Sequence, residues 1–179
     1  MKFSELLLCS ATGIFAFDFA NQLNAGSVPK QLYNKTVSVG WGEASRNKRV
    51  SDGATVSGNG KFDRIIYISS AGRFFSRGNF SGGGGGGRNE QGPEEGSKGI
   101  SFQGNSLTAA WAARGGGGVD RRLSVNFDPA FGSCTASLSA GKAGTGVYTG
   151  FDGAPYEMIE IIPSAVSCSI KEGNPFGAQ

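Results

Sequence analysis

Apolar residues recur at every second position through much of this chain. Val37, Val39 and Trp41 alternate with Thr36, Ser38 and Gly40, and Leu123, Val125 and Phe127 repeat the spacing. So do Cys134, Ala136 and Leu138, and Val166, Cys168 and Ile170. Side chains in a strand point alternately to opposite faces, so each run predicts a half-buried strand with its apolar set turned inward. Both cysteines fall in the inward phase of their own strands. Phe62–Ser69 is rich in β-branched and aromatic residues, and Ala71-Gly72 offers a turn into a return strand at 73–77. Further runs follow at 100–102, at 107–114 around Trp111, at 156–162 up to Pro163, and at 165–170. Beyond residue 25 no stretch keeps an i, i+3, i+4, i+7 apolar pattern over three turns.

Eight or nine strands joined by short connections predict an all-β, single-domain antiparallel up-and-down barrel, with a β-sandwich as the alternative. Closure removes exposed strand edges, an advantage in a glycine-rich sheet protein. Three connections interrupt the pattern. Arg46 to Gly60 reads as a hairpin loop or irregular edge. Gly141 to Gly153 reads as a glycine-rich connection with a short strand at 147–149. The stretch 78–99 holds six consecutive glycines, Gly82 to Gly87, and almost nothing apolar to bury, so a disordered loop is expected there.

The N-terminus reads as an export signal. Lys2 precedes an apolar run from Leu6 to Phe17, too short to span a bilayer, and Asp18 closes it. Cleavage is placed after Ala25, leaving residues 26–179 as the β domain; a buried N-terminal helix is the competing reading. Removing the leader removes Cys9 and leaves Cys134 and Cys168, an even number suited to an oxidising compartment. A disulfide between them is expected, two buried free thiols being the alternative. The implied location is secreted or periplasmic, with no integral membrane segment after cleavage.

The 179 residues carry a net charge of +3 and no histidine. Basic and acidic residues are scattered, unlike the clustered footprint of a nucleic-acid binder. Without histidine, Ser-His-Asp and Cys-His catalysis are excluded, and two cysteines alone make a poor zinc set. No Gly-Lys-Ser/Thr follows the glycines, so a phosphate loop is excluded as well. Paired carboxylates are the surviving enzymatic route. Glu157 and Glu160, three apart, are expected on opposite faces of a straight strand. Asp120 with Asp128, or Asp63 with Asp152, are pairs that only folding brings together. The expectation is a protein that is not an enzyme, with no metal and no cofactor.

Trp41, Tyr67, Trp111 and Phe127 are candidate lining residues of an apolar ligand cavity, since large barrels enclose ligands. The competing assignment for all four is ordinary core. Val28-Pro29-Lys30 leading into Lys35-Thr36-Val37-Ser38-Val39, the strand at 121–128 before Cys134, Ser167-Cys168-Ser169-Ile170, and Gly173-Asn174-Pro175-Phe176 carry a resemblance. On these residues the chain resembles a group of small exported bacterial β-proteins. The resemblance implies export and one disulfide, and brings no activity or site with it. The functional expectation is an exported binding protein for a small apolar ligand or an envelope protein. The alternative is a structural or surface-interaction protein of the envelope with a filled core.

Overall fold

Eleven strands account for most of the described chain. The computed structural model describes residues 27–82, 86–89, 94–95, 99–111, 117–150 and 152–177. The expected leader, its cleavage point and Cys9 lie outside these. A short 3-10 turn at Lys30–Leu32 buries Leu32 beneath the sheets. The strands are β1 (Lys35–Arg49), β2 (Thr55–Ile68), β3 (Phe74–Gly82), β4 (Gly86–Asn89), β5 (Glu94–Glu95) and β6 (Ile100–Gln103). They continue with β7 (Ser106–Trp111), β8 (Gly117–Phe127), β9 (Cys134–Gly144), β10 (Val147–Thr149) and β11 (Pro155–Glu172).

They form two antiparallel sheets, one of them curled into a half-barrel. The larger sheet runs β10-β11-β1-β2-β3-β4, with β5 also on β3, and the smaller runs β6-β7-β8-β9. Apart from β11 on β1 and β5 on β3, every ladder joins strands adjacent in sequence, as an up-and-down meander does. The all-β antiparallel expectation is met. β9 runs beside β11 without a ladder, and the Cys134–Cys168 disulfide joins the two, with Cα atoms 5.7 Å apart.

Three expectations about local structure need correction, the simplest being that residues 141–144 are not connection but the end of β9, paired with 117–120 of β8. The stretch 46–60 is not a loop, because β1 and β2 pair without a shift from Lys35↔Ile68 to Lys48↔Thr55. Only residues 50–54 turn. Polar and glycine residues hid the strand, since Ser45, Asn47, Gly58 and Gly60 occupy positions that hydrophobic alternation would mark. Backbone ladders need no apolar side chain. Nor does Pro163 end a strand, for β11 passes through it, opposite Glu43. A β-bulge follows, with one extra residue between Ser164 and Ser167 against Gly40 to Gly42, and Ala165 at φ +50°. Proline is confined to edge strands and bulges, and at this level β11 bonds β1 alone.

The stretch 78–99 is described only in part. Residues 78–82 continue β3, 86–89 and 94–95 pair with it, and the remainder lies outside the described residues.

The core fills the space between the sheets. Val37, Val39, Ile66 and Ile68 from the larger sheet and Leu107, Leu123 and Val125 from the smaller are all essentially fully buried in one cluster. One end is plugged by Phe102, Phe127 and Phe131, with ring centroids 5.8 Å (Phe102–Phe127) and 5.9 Å (Phe127–Phe131) apart. Phe131 sits at φ +57° in the turn after β8, held there as Asp128 Oδ1 accepts from the Gly132 amide at 2.7 Å.

Candidate functional site

Along the inward face of β1 the residue type changes after Trp41. Val37, Val39 and Trp41 are apolar, but the next inward positions are Glu43, Ser45 and Asn47. Glu43 and Asn47 are each only 5 % exposed. The buried Glu43 carboxylate is met from the opposite sheet by Arg121 of β8, Nε to Oε1 at 2.5 Å and Nη2 to Oε2 at 2.6 Å. Trp41 Nε1–H donates to Glu43 Oε1 at 2.8 Å. A two-pronged guanidinium–carboxylate contact of this kind adds geometric specificity to a charge-assisted pair, and each member offsets the cost of burying the other.

Aromatic rings surround the pair. The Arg121 guanidinium lies 4.7 Å from the centroid of Phe62, which stacks on its cross-strand partner Trp41 at 5.7 Å. Arg64 of β2 reaches the other way, 4.6 Å above the Trp111 ring of β7. Trp41 and Trp111 meet at 5.9 Å. Each sheet thus sends one arginine onto an aromatic ring of the other, a cation–π arrangement worth more when desolvated than at the surface.

The four aromatic residues proposed from sequence do not share one site. Trp41 and Trp111 belong to the cluster just described. Phe127 belongs to the phenylalanine plug. Tyr67 is on the outer face of β2, packed on Phe75 at 6.1 Å, with its hydroxyl donating to Asn34 Oδ1 at 3.2 Å. Sequence reading did not bring Glu43, Arg64 and Arg121 together; continuing the β1 alternation by one step past Trp41 would have placed Glu43 inward.

The carboxylate pairs also separate. Asp120 and Asp128 sit near opposite ends of β8, roughly 26 Å apart at the rise of a strand. Asp63 lies opposite Gly40 in mid-strand, whereas Asp152 is in the turn between β10 and β11. Glu157 and Glu160, expected on opposite faces, share one. A bulge between Arg46↔Glu160 and Asn47↔Met158 supplies an extra residue, so Glu157 faces Lys48 and Glu160 faces Arg46 on the outer side. Arg46 and Glu160 are 3.5 Å apart.

Beyond the polar cluster the β1–β2 and β10–β11 turns lie together, and both read Asp-Gly-Ala. Asp52 Oδ1 accepts from the Ala54 amide and Asp152 Oδ1 from the Ala154 amide, each at 3.0 Å, and Gly53 and Gly153 take φ +73° and +78°. Val50 N–H donates to the Pro155 carbonyl at 2.9 Å, tying the turns together. Arg49 bridges them, bonding Asp52 Oδ2 at 2.9 Å and the Tyr156 hydroxyl at 3.3 Å, while that hydroxyl donates to Asp152 Oδ2 at 2.7 Å.

The Ala54 amide holds Asp52 below its ordinary pKa of 3.8, and the Tyr156 hydroxyl does the same for Asp152. Backbone amides of Ser133 and Gly132 lower Asp128. A depressed carboxylate stabilises the fold above its unfolded pKa, and that stabilisation is lost as pH falls through the folded value. The expected result is that the protection of the Ala54 and Ala154 amides, taken as the exchange rate relative to that of an unstructured chain at the same pH, holds from neutral pH downward and falls only below about pH 4. A loss of that protection between pH 5 and 7 would contradict it.

The outer face of the smaller sheet is polar in ordered rows. Gln103, Ser106, Asn126 and Thr135 form one row, and Ser101, Thr108, Ser124 and Ser137 the next. An open depression of about 420 Å³ lies over Gly99, Ser101, Thr108, Ala110 and Arg122. Among the described residues no three His, Cys, Asp or Glu side chains gather as a metal site, and no helix is long and apolar enough to cross a membrane. No family model, curated protein or solved structure matches this chain.

Proposed function

We propose that this chain is an exported, non-enzymatic surface-interaction protein of the cell envelope, with a filled core and its contacts on the outside. The observation that carries the reading is the pair of crossings between sheets, Arg121 to Glu43 and Arg64 onto Trp111. The Trp41 and Trp111 rings meet directly, and the two arginines cover Phe62 and Trp111 beside them, where an apolar ligand would have to pack. A carrier of apolar molecules keeps an apolar cavity with few polar groups. Here the tryptophans instead pack on charged side chains that already have partners.

The disulfide supports an oxidising, extracytoplasmic setting, since such bonds persist there and are rare in the cytosol. Export through a leader cleaved after Ala25 completes the reading.

Native mass spectrometry of protein purified from its own host tests both parts. The expected species is the polypeptide from Gly26 onward, two hydrogens lighter than the reduced chain and without a bound small molecule. The fluorescence of Trp41 and Trp111 is expected to stay constant when long-chain fatty acids are titrated in. A stoichiometric co-purifying ligand, or saturable quenching by such an acid, would overturn the filled-core reading.

A further inference from the structure

We propose that the outer face formed by β2, β1, β11 and β10 is where a second copy of this chain docks, through a two-fold axis lying along the strands. The proposal rests on the surface-interaction reading and names the partner.

Large exposed apolar side chains among the described residues gather at one end of the larger sheet. They are Val50, Val147, Ile159 and Ile162, from 38 % to 54 % exposed, while Val56, also exposed, stands opposite inward-facing Asn47 on the other face. Ile162 and Val147 stand on the outer face, cross-strand from Ala44 and Glu157. Ile159, the extra residue of the bulge, is exposed beside Glu160.

The register places three rows across this face. They read Asn59–Ala44–Ile162, Ser57–Arg46–Glu160, and Thr55–Lys48–Glu157–Val147. Rotation by half a turn about a line between β1 and β11, parallel to them, lays each row on itself in reverse. Arg46 then faces Glu160 of the second copy, Lys48 faces Glu157, and Ile162 faces Ala44, large against small. Val147 faces Thr55. Basic β1 meets acidic β11 twice over, the self-complementarity that an isologous interface requires. A partner with charge of one sign would leave half of these groups facing like charge. Within one copy, Arg46 already pairs with Glu160 and Lys142 with Glu157 at 3.2 Å, both solvent-exposed, so docking extends these pairs into networks.

Size sets the strength. Three rows across four strands cover roughly 15 by 20 Å, well below the ~800 Å² per partner of a stable complex. Association is therefore weak, and is sought at high protein concentration and low salt.

Sedimentation equilibrium of the disulfide-bonded chain, from micromolar to millimolar concentration, provides the test. The wild-type chain is expected to form a reversible dimer that weakens as salt rises. Ile162→Lys should weaken it about tenfold or more. Arg46→Glu leaves the row wholly acidic and Glu160→Arg leaves it wholly basic, so each variant alone should stay monomeric. Mixing the two should restore dimers, because the carboxylate introduced at position 46 then faces the guanidinium introduced at position 160 of the other copy. Thermal melts of each variant confirm that the fold persists. A wild-type chain that stays monomeric throughout, a dimer indifferent to Ile162→Lys, or a mixture that fails to associate would each overturn the proposal. None of these results touches the filled-core reading, which stands or falls on ligand uptake.

Discussion

Arg121→Ala is expected to lower the unfolding free energy at neutral pH by about 3–5 kcal/mol, among the largest losses available to a single substitution here. Glu43 explains the size. Its side chain is 3 % exposed, and Arg121, at 13 %, is the cation that meets it. Removing Arg121 leaves the carboxylate buried between two sheets without the charge that balances it. Exposed pairs such as Arg46–Glu160 and Lys142–Glu157 contribute only ~0–1 kcal/mol, because water already solvates both members. The double variant Glu43→Gln/Arg121→Met is expected to recover most of the loss. It removes both charges together, and the glutamine oxygen still accepts from Trp41 Nε1–H. Urea unfolding followed by tryptophan emission measures both, with Trp41 touching the site directly. A loss below about 1 kcal/mol for Arg121→Ala would mean that water reaches Glu43, and the crossing between sheets would no longer argue for a filled core.

The same cluster shows where the sequence is readable and where it stops being so. Val37, Val39 and Trp41 are found by alternation because water drives all three inward. Glu43 and Asn47 obey the identical geometry but are buried by partners rather than by hydrophobicity. The partner of Glu43 stands 78 residues away, and no period in the sequence marks it. For the same reason the outer half of the β1–β2 hairpin reads as a loop. Its strands are held by backbone ladder and by the Asp52 turn, not by an apolar face.

Bulges defeat sequence reading in another way. Alternation assumes one residue per step on both strands, so the extra residue near Ile159 reverses the assignment of Glu157 against Glu160. The one beyond Pro163 makes a continuous strand look like two. The cysteine pairing was legible because it needs little geometry. Two thiols remain after the expected leader, and both lie in the inward phase of their strands. The twin Asp-Gly-Ala turns, a hundred residues apart, were visible in the sequence as a repeat, but only folding brings them together.

That disulfide carries the second large effect. Cys134→Ala/Cys168→Ala is expected to lose about 4 kcal/mol, the chain-entropy value for a loop closed over 34 residues. Its position argues for at least this much. β9 bonds only β8, and over Ile159–Glu172 β11 bonds only β1, so the sulfurs replace a missing ladder where the two sheets meet. Val166, Ala136 and Leu138 pack against the core along this seam. With the bond gone, the seam is held by that packing and the exposed Lys142–Glu157 pair at its end. Hydrogen exchange should therefore rise in β9 and in the 159–170 part of β11 well before it rises in β1 and β2, which keep neighbours on both sides. Guanidinium unfolding of the double variant, compared with the oxidised wild type, gives the magnitude. Exchange by mass spectrometry gives the location. A uniform rise across both sheets, or a loss under about 1 kcal/mol, would show that the seam closes without its sulfurs.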